Sequence, residues 1–250
     1  MESLETELER ARDLDPDELA DAIESIGFEC TRCGACCKGA EPRSADGRVA
    51  RDSPSPSNRA NGGSRERTAA SRDAEAGDPH TATVFPDEVR DLQSATDYDW
   101  RDVARPMPYG LDDDGVGETF EWALQNDACG DCTFYVEADD GTGACAVHED
   151  RPLICRTYPF SVALGGTSQP MGEAVDNAGV VRAHECEGLG RDIDREHAEE
   201  LAAALKERAV RELEEAIGVR DAYEPTDPGD GAVVHDSEGA KRPDGSEYEG

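Results

Sequence analysis

Lysine is almost missing from this chain: of 250 residues only Lys38, Lys206 and Lys241 carry an ammonium group, and arginine raises the basic total to just 25 against 58 acidic residues. Clustered Lys and Arg are what give a protein affinity for phosphate backbones and anionic lipid, so a formal charge of −33 argues against nucleic acid and membrane as partners. Aromatic residues are scarce as well, at 5%, and two long stretches hold almost no large apolar side chain. Such stretches cannot bury enough surface to offset their ordering entropy, so one compact domain with tails is expected rather than a fold that uses every residue. No run approaches the roughly 18 apolar residues of a membrane span. The opening MESLETELERARD has neither the basic nor the apolar region of a signal peptide, and a cytoplasmic chain is expected. A protein partner is conceivable but its kind is not written in the composition.

Cysteine, by contrast, is abundant. Nine are present, and four fall within eight positions of CTRCGACC, at Cys30, Cys33, Cys36 and Cys37. In a reducing compartment clustered thiols point to metal ligation or redox chemistry before structural disulfides. C-x2-C spacing lets two sulfurs reach one ion from a tight turn, and it occurs at Cys30/Cys33, Cys33/Cys36 and Cys129/Cys132. Soft thiolate sulfur prefers zinc, cuprous copper or iron–sulfur clusters. Neighbouring side chains in extended backbone point to opposite sides. Cys36 and Cys37 could therefore serve two centres, divide into one ligand and one packing residue, or form a vicinal disulfide.

The organisation along the chain is read from periodicity and punctuation. Residues 1–27 form an N-terminal helical segment: Asp15 caps, Pro16 suits a first turn, Gly27 stops, and Leu19, Ile23 and Ile26 share a face. Residues 28–40 hold the first cysteine cluster. From 41 to 80 no aromatic residue occurs, Val49 is the one large aliphatic side chain, and seven arginines are matched by seven acidic residues, which predicts a disordered insertion. Residues 81–190 complete the cysteine-bearing domain. In this stretch PDEVRDLQ and YDWRDVA predict short helices, and the strands around DDGTG predict a hairpin with Cys132 at one end and Cys145 on the return strand. RPLICRTYPF predicts a helical turn carrying Cys155, ended by Pro159. Residues 191–220 give an amphipathic helix striped by Leu201, Leu205, Val210, Leu213 and Ile217. Residues 221–250 predict a disordered acidic tail. The fold class expected is α+β: a small metal-stapled, cysteine-rich domain with a short antiparallel hairpin and flanking helices.

CTRCGACC, CTFY, CAVHEDRPLICRTYPF and Cys186 together resemble the zinc- or iron-chelating cysteine-cluster family of the CxxCxxCC or YkgJ type, often labelled Fe–S oxidoreductases. The acidic, lysine-poor composition also resembles that of salt-in halophiles. The family resemblance implies eight metal ligands, Cys30, Cys33, Cys36, Cys37, Cys132, Cys145, Cys155 and Cys186, with zinc or an iron–sulfur cluster as cofactor. Cys129 departs from that pattern, as does the long insertion after Lys38. Closure entropy grows slowly with loop length, so the insertion does not prevent assembly. His148 is a candidate nitrogen ligand or supporting residue. Arg151 and Arg156 can offset thiolate charge, and Tyr158 and Phe160 are expected to cover the site.

Three functions fit these residues. The first is a metal-binding protein in which the ion organises the fold, the second an Fe–S oxidoreductase or electron carrier, the third metal storage or delivery. The sequence shows no acid, base or open coordination position that would mark a catalytic residue, so binding is favoured over catalysis.

Overall fold

A computed structural model describes residues 3–39, 79–164 and 174–249. The insertion expected to be disordered lies almost wholly outside the described residues.

Ser3 caps α1 (Leu4–Asp13), accepting the Thr6 N–H at 3.3 Å, and Asp15 caps α2 (Pro16–Ile26), accepting that of Asp17 at 2.9 Å. β1 (Thr83–Val84) leads into α3 (Pro86–Ala95) and α4 (Trp100–Val103), followed by β2 (Ala104–Pro106), β3 (Gly117–Thr119) and β4 (Trp122–Leu124). The predicted hairpin is present as β5 (Tyr135–Glu137) and β6 (Gly143–Cys145), with Tyr135 opposite Cys145. α5 (Leu153–Thr157) and β7 (Phe160–Val162) come next, then β8 (Ala174–Asp176), β9 (Val181–His184) and the long α6 (Arg195–Ala222). β10 (Ala232–Asp236) and β11 (Gly239–Lys241) close the chain. The molecule is therefore α+β, with helices packed beside four small sheets, β1-β4-β2, β11-β10-β3, β5-β6 and β7-β9-β8.

Two apolar cores result. In the first, Leu19 and Ile23 of α2, Leu8 of α1 and Leu201, Leu205 and Leu213 of α6 enclose Phe160 and Val181 from the β7-β9 sheet. This arrangement follows from the apolar stripe of α6, which cannot stay exposed and takes α1 and α2 as its cover. In the second, Val89 and Leu92 of α3 meet Val103, Trp122, Leu124, Phe134 and Val147. Four thiol-bearing residues pack on this second core: Cys132, buried in it, and Cys37, Cys145 and Cys155, half-buried at its edge.

The C-terminal residues correct one expectation. Instead of an unstructured tail, β10 runs parallel to β3 and antiparallel to β11, with Val233 and Val234 fully buried. Asp236 accepts the buried Trp122 indole N–H at 2.9 Å. AVVHD is too short to stand out from its acidic, Gly- and Pro-bearing surroundings, yet its side chains find a ready wall in the second core.

Candidate metal centre

The first cysteine loop is sewn to three other parts of the chain by backbone bonds. Phe28 bridges to Leu189, the Glu29 N–H donates to Gly188 O at 3.0 Å, and the Gly190 N–H donates to Gly27 O at 2.9 Å. These bonds lay Cys30 alongside the segment that carries Cys186. Gly34 then turns the chain at φ 75°, and the N–H groups of Cys37 and Lys38 both close onto its carbonyl, at 2.8 and 3.1 Å. A methyl group at Gly34 would stand 2.3 Å from the Tyr135 hydroxyl, so this turn lies directly on β5. Two further bonds hold it there: Gly143 N–H to Arg32 O at 2.7 Å and Cys132 N–H to Cys37 O at 2.7 Å.

Several of the thiols act on one another electrostatically, and Cys36 acts on Cys132, Cys145, Cys155 and Cys186 alike. Cys186 feels Cys33, Cys36 and Cys30: burial raises its pKa first, those three sulfurs add to it, and the Gly188 N–H, 3.4 Å from its Sγ, opposes the rise. Cys132 is pushed up to about 11 by burial, with Cys145 and Cys36 adding. Burial also raises Cys155, where Cys132, Cys145 and Cys36 contribute further. Cys145 is raised by burial and by Cys36, while a Val147 backbone bond and the Arg151 guanidinium pull it down. Cys36 is raised most by its contact with Cys37, the two sulfurs standing 3.8 Å apart. Mutual repulsion of this kind means that each thiolate added makes the next harder to form, unless a cation enters among them.

Supporting residues fix the frame. α5 carries Cys155, and its first turn is held by Glu88 of α3, whose two carboxylate oxygens accept the N–H of Leu153 at 2.8 Å and of Phe85 at 3.0 Å. Glu88 is only 8% exposed, and burial raises its pKa while those two N–H groups hold it down. The Tyr158 hydroxyl donates to Glu185 O, next to Cys186. Its pKa is pushed up to about 12 by burial and then by Cys186, Cys36, Glu185 and Cys33. Burial lowers the pKa of His80, and the neighbouring Cys36 backbone opposes that fall. Arg32, Arg151 and Arg156 have no carboxylate partner within salt-bridge distance among the described residues, although acidic groups outnumber basic ones more than two to one. All three stand next to or between candidate ligands in the sequence.

The CxxCxxCC family model, described as "Putative zinc- or iron-chelating domain", matches residues 29–187, from the residue before Cys30 to the residue after Cys186. The chain belongs to the CxxCxxCC family. No curated protein and no solved structure matches it.

Cys129 is the cysteine that departs from the CxxCxxCC pattern. It is exposed, in a turn organised by Asp127, whose Oδ1 accepts the Cys129 N–H at 2.7 Å and that of Asp131 at 3.1 Å. His148 is exposed at the start of a single 3-10 turn, and its carbonyl accepts from Arg151 Nε at 2.8 Å. Phe160 was expected to cover the thiols; it packs instead edge-on to Phe28 in the helical core, ring centroids 5.7 Å apart. Among the described residues no three Cys, His, Asp or Glu side chains are drawn closely enough together to surround an ion as they stand. No helix among them is long and apolar enough to cross a membrane. Glu88 and His80 went unnoticed in the sequence. Glu88 had a signal, since FPDE places an acidic residue at the third helical position, where it caps its own N-terminus; its second bond to Leu153 had none.

Proposed function

We propose that this member of the CxxCxxCC family holds zinc or iron in two four-sulfur sites, one from Cys30, Cys33, Cys36 and Cys186, the other from Cys37, Cys132, Cys145 and Cys155. The observation that carries the division is the placing of Cys37: its carbonyl accepts the Cys132 N–H, and its side chain packs on the same core as Cys132, Cys145 and Cys155. Cys36, one residue earlier, is exposed and acts electrostatically on Cys186 as well as on Cys132, Cys145 and Cys155, so it stands between the two sets and is given to the first because Cys37 fills the second. The donor set fits such ions, because all eight groups are thiols, which as thiolates are soft ligands for zinc and for iron–sulfur clusters. Arg151 fits too, since its guanidinium favours the thiolate forms of Cys145 and Cys36, and four thiolates around a divalent ion leave a net negative charge to be offset.

The ion's role in this reading is to bind and to organise. As thiolates these side chains would hold the ion, and the segments around residues 30–37, 132–155 and 186, brought together by a handful of backbone bonds, would be cross-linked by it. Metal-binding free energy then becomes folding free energy. Paired substitutions test the division. Cys30→Ser with Cys33→Ser removes one metal centre, Cys145→Ser with Cys155→Ser removes the other, and metal content measured by mass spectrometry halves in each. Complete loss in both variants would mean one shared centre instead.

A further inference from the structure

A cavity of about 440 Å³ lies between the two cores, away from the thiols. α6 supplies Leu205, Ala209 and Leu213 to one wall, β7 supplies Val162, and Val84 and Trp122 face them from the β1-β4 sheet. Its size falls within the range of small-molecule sites, and its walls are largely apolar, as such sites are.

The charged groups on the walls are already engaged. Arg208, 3% exposed, places Nε 2.6 Å from Glu212 and donates through Nη1 to Thr157 Oγ1 at 3.1 Å. Asp236 holds the Trp122 indole N–H, Glu215 accepts the Ser237 N–H at 2.9 Å, and Arg220 is paired with Glu5 and Asp221. Glu121 also has a partner. With no free charge to satisfy, an ion entering this space would lose its hydration and gain no counter-charge. An uncharged polar group would fare better. Ser161 lines the cavity, and its hydroxyl is oriented by a buried 2.8 Å hydrogen bond to His184 Nε2 on the neighbouring strand. That hydroxyl oxygen retains capacity for a further hydrogen bond.

We infer that this cavity is a binding site for a neutral, mainly apolar organic molecule carrying a hydroxyl or carbonyl group, which Ser161 receives. The site is separate from the metal reading and needs no ion, although β7 continues directly from the segment that carries Cys155 and Tyr158.

The experiment is a fluorescence titration of the full-length protein with N-phenyl-1-naphthylamine, an uncharged probe, with metal content measured on the same samples. Saturable binding at one probe per chain is expected, with at least tenfold weaker binding in Ala209→Phe, which fills the cavity, and unchanged metal content. Val219→Trp fills the same space from further along α6 and decides the matter if the first variant melts early. 1-Octanol should displace the probe and octanoate should fail to. Absence of saturable binding, full-strength binding in both filled variants, or equal displacement by octanoate would each overturn the inference.

Discussion

At the scale of single residues, the proposed ligand set separates eight thiols from the ninth. Serine at Cys30, Cys33, Cys36, Cys37, Cys132, Cys145, Cys155 or Cys186 should each lower metal content, because an alcohol is a far poorer ligand for soft ions than a thiolate. Cys129→Ser should leave metal content unchanged; an equal loss there would bring the exposed Asp127 turn into the site. The electrostatics give a sign for pH. A thiol whose pKa is raised, as at Cys132 up to about 11, stays protonated near neutrality, so an entering ion must displace its proton. Metal affinity should therefore rise with pH from 6 to 8, and uptake in a weakly buffered solution should release protons, which a pH electrode reads directly. Glu88 gives a prediction about stability. Glu88→Ala strips partners from two N–H groups at a buried helix junction, a change worth about 1–3 kcal/mol. Thermal melting should show that loss, and the looser α5 should weaken metal retention at Cys155.

At the scale of elements, how much was legible depended on contrast with the surroundings. α2 carried a cap, a first-turn proline and a terminal glycine, and α6 an apolar stripe over several turns, so both are close to where the sequence puts them. The hairpin was legible from DDGTG and its flanking strands. β10 was not, because five residues of AVVHD give too short a pattern in an acidic stretch, and its partners β3 and β11 lie at very different sequence distances. The same limit applies to the thiols. Their residue types and spacing were plain, but the juxtaposition of Cys30 with Cys186 rests on pairing between Phe28 and Leu189, far apart in the chain, which no local pattern encodes. Because β10 covers Trp122, removing residues 223–250 should expose that ring and the second core. The truncated chain should melt at lower temperature and show red-shifted tryptophan emission; an unchanged melt would mean the terminal strands add nothing to the core.

At the scale of the whole molecule, excess negative charge is managed by sharing arginines. Arg195 alone contacts Glu24 at 2.8 Å and Glu199 at 2.7 Å and reaches Asp21, tying α2 to α6. Such exposed pairs contribute little each, and the net charge of −33 leaves self-repulsion that only dissolved salt can screen. Stability by circular dichroism should rise steadily with salt, and dilution into low salt should expand or unfold the chain. No response to salt would show that packing and bound metal outweigh the repulsion. The central claim is that these thiols hold metal in two sets. Elemental analysis with a visible spectrum, on protein purified without oxygen at high salt, tests it most directly. The account predicts zinc or iron in two centres per chain, colourless if zinc, and with acid-labile sulfide and a charge-transfer band if the iron is in clusters. Protein that binds neither metal, or only one ion per chain, would contradict it.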